Sequence, residues 1–269
     1  MRKSLILVLA VVVAALGLVA GASAVETCLR MSCSGLPTLV PTFGGSVSPK
    51  TLPRHEYVPV AASVFGKIKT SDGTHPSALR EMVIDIDKDM RINAEGYPTC
   101  EGGGRDIGRN PQAVLRACSD AVLGRGQGDF EIAFPEQAPI KVSSPLIVFN
   151  GGEKGGEVTL YIHAFLTVPA PTAIVTAVTI TRKGSGIDAV AKIPVIAGGS
   201  GSVLDFSFKL AKTYAYKGKG VGFLEAKCPD EVFRVSVPTL LFKNEAHTPA
   251  VGATTVLKGS FAVPCTPQG

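Results

Sequence analysis

EVTLYIHAFLTV, residues 157 to 168, decides the fold class. Val158, Leu160, Ile162, Ala164, Leu166 and Val168 alternate with Glu157, Thr159, Tyr161, His163 and Thr167, so an extended chain here carries one oily face and one wet face. A helix would scatter the same apolar residues around its axis. The β-branched and aromatic side chains of this stretch also suit a pleated, half-buried surface. The period of two recurs at Val58, Val60, Ala62, Val64 and Ile68, at Phe130, Ile132 and Phe134, and at Leu204, Phe206, Phe208 and Leu210. It returns at Phe233, Val235, Val237 and Leu241, then at Leu257, Phe261 and Val263. Turn signals separate these runs by about ten residues, the spacing of an antiparallel β-sandwich or a partly open barrel. An all-β fold of about eleven strands is expected.

Outward from this stretch, Val158 to Thr181 contains no formally charged side chain, a length that could cross a membrane as a helix. Six threonines and the central Pro169-Ala170-Pro171 favour two strands meeting at a turn instead, so no transmembrane segment is expected in the mature chain. One helix is signalled. Asn110 is a good N-cap, Pro111 suits the first helical position and Gly124 is placed to end it, which predicts a helix over about residues 111–123. Val114, Leu115, Cys118 and Val122 form its apolar stripe.

At the N-terminus, Arg2 and Lys3 precede an uncharged apolar run from Leu5 to Ala20, and Ala22-Ser23-Ala24 has the small-x-small form that signal peptidases cut. Residues 1–24 are therefore expected to be a signal peptide, residues 25–54 an irregular leader rich in Pro, Gly and Ser, and residues 55–266 a single β domain with the helix inserted at about 110–124. Export puts the six cysteines where disulfides persist. Cys118 on the buried stripe pairs best with Cys100, beside Gly102-Gly103-Gly104, and closing that loop is worth about 3 kcal/mol in the chain-entropy account. Elimination then gives Cys228 with Cys265 and Cys28 with Cys33, one of about 15 possible pairings. Loss of Arg2 and Lys3 lowers the formal net charge from +5 to +3, which leaves no strong attraction to nucleic acid.

Two clusters are candidates for binding. Asp85, Asp87 and Asp89 would share one face of a strand end by alternation, and crowded carboxylates attract a hard cation such as Ca²⁺. The EF-hand pattern fails, because Met90 and Gly96 stand at the required glycine and glutamate positions. The plainer reading is a solvated face balanced by Lys67, Lys69 or Arg91. Tyr214 and Tyr216, flanked by Lys217 and Lys219, could stack on a sugar of a glycan or an anionic cell-wall polymer. The plainer reading there is a hairpin with a Lys-Gly-Lys-Gly turn.

Catalytic signals are weak. Gly198-Gly199-Ser200-Gly201-Ser202 lacks the final glycine of a nucleophile elbow and reads as a flexible loop. His55, His75, His163 and His247 have no metal-binding spacing, and the glycine clusters lack a phosphate-loop pattern. No cofactor is implied apart from the candidate Ca²⁺.

The stretches Asp72 to Pro76 and on to Asp89, Ser143 to Gly152, Tyr161 to Ala164 and Ile196 to Ser202 resemble a group of uncharacterised secreted proteins of high-GC actinobacteria. The resemblance covers about Leu52 to Cys265 and implies bacterial export without implying an activity. The sequence thus points to a non-catalytic extracellular or cell-surface binding or structural module. A carrier of a lipid or small apolar ligand and a secreted hydrolase are the alternatives, the first requiring a large apolar pocket and the second requiring ionisable groups that converge in a cleft.

Overall fold

The computed structural model describes residues 25–28, 38–100, 107–184, 186–245 and 252–268, the first four by backbone alone. The expected signal peptide and the Cys28 to Cys33 bridge lie outside the described residues. In chain order β1 (Val25–Cys28), β2 (Leu39–Ser48), β3 (Thr51–Pro53), β4 (Val58–Pro59), β5 (Ala61–Thr70), β6 (Ala78–Asp87) and β7 (Met90–Ile92) precede helix α1 (Pro111–Cys118). After it come β8 (Val122–Ile132), β9 (Ile140–Lys154), β10 (Glu157–Leu166), β11 (Thr172–Lys183), β12 (Gly186–Lys192) and β13 (Gly201–Leu210). The chain ends with β14 (Thr213–Tyr216), β15 (Lys219–Gly222), β16 (Leu224–Ala226), β17 (Val232–Lys243), β18 (Thr254–Pro264) and β19 (Thr266–Gln268).

Twelve strands form one sheet in the order β1-β18-β17-β6-β12-β11-β10-β9-β8-β13-β5-β2, and its ladders are antiparallel. The stretch at 157–168 is the hairpin partner of β11, with Ile162 opposite Thr176 and Leu160 opposite Val178. The uncharged segment is therefore two paired strands, and among the described residues no helix is long and apolar enough to cross a membrane. The sheet curls almost into a barrel. Gly45 of β2 and Phe261 of β18, near opposite ends of the strand order, approach each other and line one common interior. Gly66 permits part of this curvature: a side chain there would collide with the rings of Phe206 and Phe43, which lie across it.

A three-stranded sheet, β4-β16-β7, buries Met90, Ile92 and Leu224 against this interior. Cys228, just after β16, is bonded to Cys265, just after β18. On the outer surface, α1 and its flanks cover β9. Cys100, Ile107, Val114, Cys118, Ala121, Ile147 and Phe149 form a separate small core there, and the Cys100–Cys118 bond closes it. Both pairings match those expected from the sequence.

Three boundaries differ from expectation. The leader is not irregular throughout: β2 pairs along its whole length with β5, and Leu39, Phe43 and Val47 turn inward. Its Gly44 and Gly45 hide the strand signal, yet the Gly44 position is filled by the Phe65 ring from β5. The helix ends at Cys118, passes into a 3₁₀ turn at Ser119–Ala121, and yields to β8, so Gly124 is a strand residue and not a helix cap. Its start is as expected, with Asn110 Oδ1 accepting the Ala113 N–H at 2.9 Å. In β17 the register against β18 shifts between Val237 and Leu240, which turns Leu240 inward in place of Leu241.

Candidate functional site: an apolar lumen with a charged rim

The inward rows of the sheet meet in a cavity of about 240 Å³ to which all its strands but β1 contribute. Leu160, Ile162 and Ala164 of β10, Ile174, Val178 and Ile180 of β11, and Ile187, Ala189 and Ala191 of β12 supply one side. Met82, Ile84 and Ile86 of β6 continue it, while Phe130, Phe206 and Phe208 stand on the other. Only Ser46, Ser63 and Thr176 bring polar side chains to the lining. A water molecule needs two to four polar partners to stay in such a space, so an apolar cavity remains dry and accepts apolar guests. An engineered cavity of roughly 150 Å³ already holds benzene. The small residues Ala164, Ala189 and Ala191 make the room, and Met82 and Met90 bring unbranched, adaptable side chains to the wall.

At one end of the lumen a second, open cleft of about 380 Å³ is lined by Tyr57, Lys88, Asp89, Arg91, Arg182 and Lys227 among others. Met90 and Ile187 line both spaces. The Tyr57 ring carries the Arg91 guanidinium at 4.3 Å and the Lys227 ammonium at 5.2 Å, and its hydroxyl donates to the Lys88 carbonyl at 2.8 Å. Arg91 is tied to Glu225 at 2.6 Å and Lys227 to Asp89 at 3.4 Å.

The three aspartates do not converge. Asp85 faces outward, where Ser236 donates to it at 3.1 Å and Asp188 of β12 lies opposite. The hydrogen bond between these two carboxyls pushes the Asp85 carboxyl above its ordinary range and holds that of Asp188 below it. Asp87 accepts the Asp89 N–H at 3.1 Å and lies 4.0 Å from Arg234. Asp89 has turned into the protein and is only 2% exposed, and burial raises its carboxyl. The strand ends at Asp87 and the following turn carries Asp89 off the face that Asp85 occupies. Nor do Lys67 and Lys69 balance this face, since the strands beside β6 are β17 and β12. Among the described residues no three His, Cys, Asp or Glu side chains are grouped as metal ligands.

The tyrosine pair holds a loop of its own chain. Tyr214 donates to the Glu95 carbonyl at 2.6 Å, Tyr216 donates to Glu95 Oε1 at 2.8 Å, and Lys217 reaches the same oxygen at 3.1 Å. The Tyr216 ring lies against Gly96, where a side chain would collide with it. The Tyr216 hydrogen bond, with the Lys217 charge, keeps the Glu95 carboxyl below its ordinary range. Lys217 and Gly218, both with positive φ, make the two-residue turn to Lys219.

Sequence spacing concealed two histidine environments. His75 Nδ1 lies 2.8 Å from Glu131 Oε1, and His75 Nε2 lies 3.1 Å from Ser202 Oγ, the contact order of a hydrolytic triad. The serine, however, is buried and has a second partner. Ser202 is 2% exposed, and its hydroxyl donates to the Pro76 carbonyl at 2.7 Å, an oxygen that can only accept. The trio fastens the 70s loop to β13. The glycine-serine segment is accordingly an ordered strand entry and not a flexible loop. His163, expected to be solvated, is fully buried beneath the residues leading into α1; its Nε2 donates to the Arg109 carbonyl at 2.8 Å, and burial lowers its pKa.

Fold and cavity together define the class: a curled antiparallel β-sheet with an apolar lumen. Comparison of the chain with protein families, with curated proteins and with solved structures finds no match.

Proposed function

We propose that this protein is an exported, non-catalytic carrier that holds a small apolar molecule, such as a single lipid chain, inside the curled sheet. The observation that supports the reading is the almost wholly apolar cavity of about 240 Å³, a volume that a core evolved only for stability would close, because unfilled space forfeits packing and costs stability in proportion to its size. Burying roughly eight methylenes there would contribute about 6 kcal/mol before the costs of association. The seam between β2 and the Phe261 end of β18 offers a way in: it closes by side chains such as Phe261 against Gly45, and no ladder joins the two strands. Along this stretch side chains alone close the seam, while just beyond it the pairing of β3 with β19 and the bond from the Thr266 N–H to the Lys50 carbonyl tie the two strand ends together. The signal-like leader and the two disulfides support an oxidising, extracellular setting.

The test is binding of the neutral fluorophore N-phenyl-1-naphthylamine, with mass spectrometry of an organic extract of the purified protein. The wild type is expected to brighten the probe, to release it to decan-1-ol, or to carry a co-purifying lipid. Ala189→Leu with Ala191→Leu narrows the cavity and is expected to weaken probe binding at least tenfold while the circular dichroism spectrum stays unchanged. A wild type that carries no apolar molecule and leaves the probe dark removes the carrier reading.

A further inference from the structure

The rows of side chains that line the lumen do not end at its edge. On β6 the inward row Met82, Ile84, Ile86 is followed two residues later by Lys88, and on β11 the row Val178, Ile180 is followed by Arg182. On β11 strand alternation carries the row to Arg182 at the rim of the same face, whereas Lys88 reaches the rim from the turn that follows β6. The two rows are joined in register, because Arg182 lies opposite Ile187 and Ile187 lies opposite Ile86. Lys88 and Arg182 both line the open cleft that shares Met90 and Ile187 with the lumen. We propose that this cleft receives the anionic headgroup of a single-chain amphiphile whose hydrocarbon tail occupies the lumen, an assignment that rests on the carrier reading.

The balance of charge at the rim supports an anion. Arg91 and Lys227 are engaged by Glu225 and Asp89. Arg182 donates to the Ile92 carbonyl, and Lys88 and Arg182 have no carboxylate partner among the described residues. The cleft therefore keeps two uncompensated cations beside a wall of Met90 and Ile187. Arg91 is half exposed even while paired, so guanidinium N–H groups remain to face a bound oxyanion. An alcohol headgroup would leave those cations unanswered, and an ammonium headgroup would be repelled.

The experiment compares decanoate, decyl phosphate, decan-1-ol and decyltrimethylammonium as displacers of the neutral probe at pH 8 and low salt, below their micelle concentrations. Wild type is expected to bind both anions about tenfold tighter than the alcohol, the size of one charge-assisted contact, and the cation most weakly. Tighter binding of decanoate assigns a carboxylate, and tighter binding of decyl phosphate assigns a phosphate. Lys88→Gln with Arg182→Gln is expected to erase the preference for anions while decan-1-ol binds as before, which also certifies the fold; Lys88→Gln alone changes only an exposed side chain and is expected to remove part of it. Equal binding of alcohol and anions by the wild type overturns the headgroup site and leaves the carrier reading standing. Failure of all four displacers and of the probe strikes the carrier reading itself.

Discussion

Leu146-Ile147-Val148-Phe149 of β9 faces two interiors of opposite character. Leu146 and Val148 point into the lumen, where space is left over, while Ile147 and Phe149 point outward into the filled core beneath α1. The outer core is small and depends on a covalent closure, the Cys100–Cys118 bond. The inner one is broad, supplied by strands from across the whole sheet, and unfilled. A sheet buried on both faces along one strand divides the labour: stability is concentrated where packing is complete, and capacity for a guest lies where it is not.

The sharpest way to break this contrast is truncation on each side of β9. Phe149→Ala is expected to destabilise the protein by about 3–5 kcal/mol in urea unfolding, the range for aromatic residues in a filled core. Val148→Ala, facing existing space, is expected to cost only about 1–2 kcal/mol. If Val148→Ala cost as much as Phe149→Ala, the two interiors would be energetically alike. Next in size is the paired change Cys100→Ala with Cys118→Ala, expected to lower stability by about 3 kcal/mol through the loop it reopens, with decan-1-ol affinity retained at a temperature where the variant remains folded. Loss of that affinity would mean that the outer core shapes the lumen.

The smallest effect belongs to His163. Burial depresses its pKa, so the unfolded chain binds a proton that the folded chain refuses, beginning near the unperturbed value of about 6.5. Stability is then fully present above that pH and falls as pH drops toward the folded value, by at most about 1.4 kcal/mol per pH unit. In the His163→Gln variant, this contribution to the slope between about pH 6.5 and 5 is expected to vanish in urea titrations. An unchanged slope would place the acid sensitivity elsewhere.

The sheet was legible where one face meets water. β10, with Tyr161 and Thr159 alternating against Leu160 and Ile162, announces itself, and so does the Asn110 cap. β2 did not, because Gly44 and Pro41 look like loop residues until the Phe65 ring and β5 supply what their own side chains lack. The binding candidates fared differently. Asp89 left the face it should have shared because a turn intervened, and Tyr216 found a partner in Gly96 and Glu95, more than a hundred residues away. His75 and Ser202 are separated by 127 positions, so no spacing rule joins them. Of the rim cations only Arg182 carried a readable signal, because the inward parity of β11 continues from Ile180 to it, while Lys88 stands in the turn that ends the parity of β6.

Local alternation, cap chemistry and cysteine placement sufficed to set strands, helix start and two disulfides, since each depends on neighbours a few residues apart or on simple elimination. Whether the curled sheet would pack solid or enclose a void depended on how alanines from three strands face phenylalanines from others. That is a property of volumes meeting across the sheet, and only the assembled chain decides it.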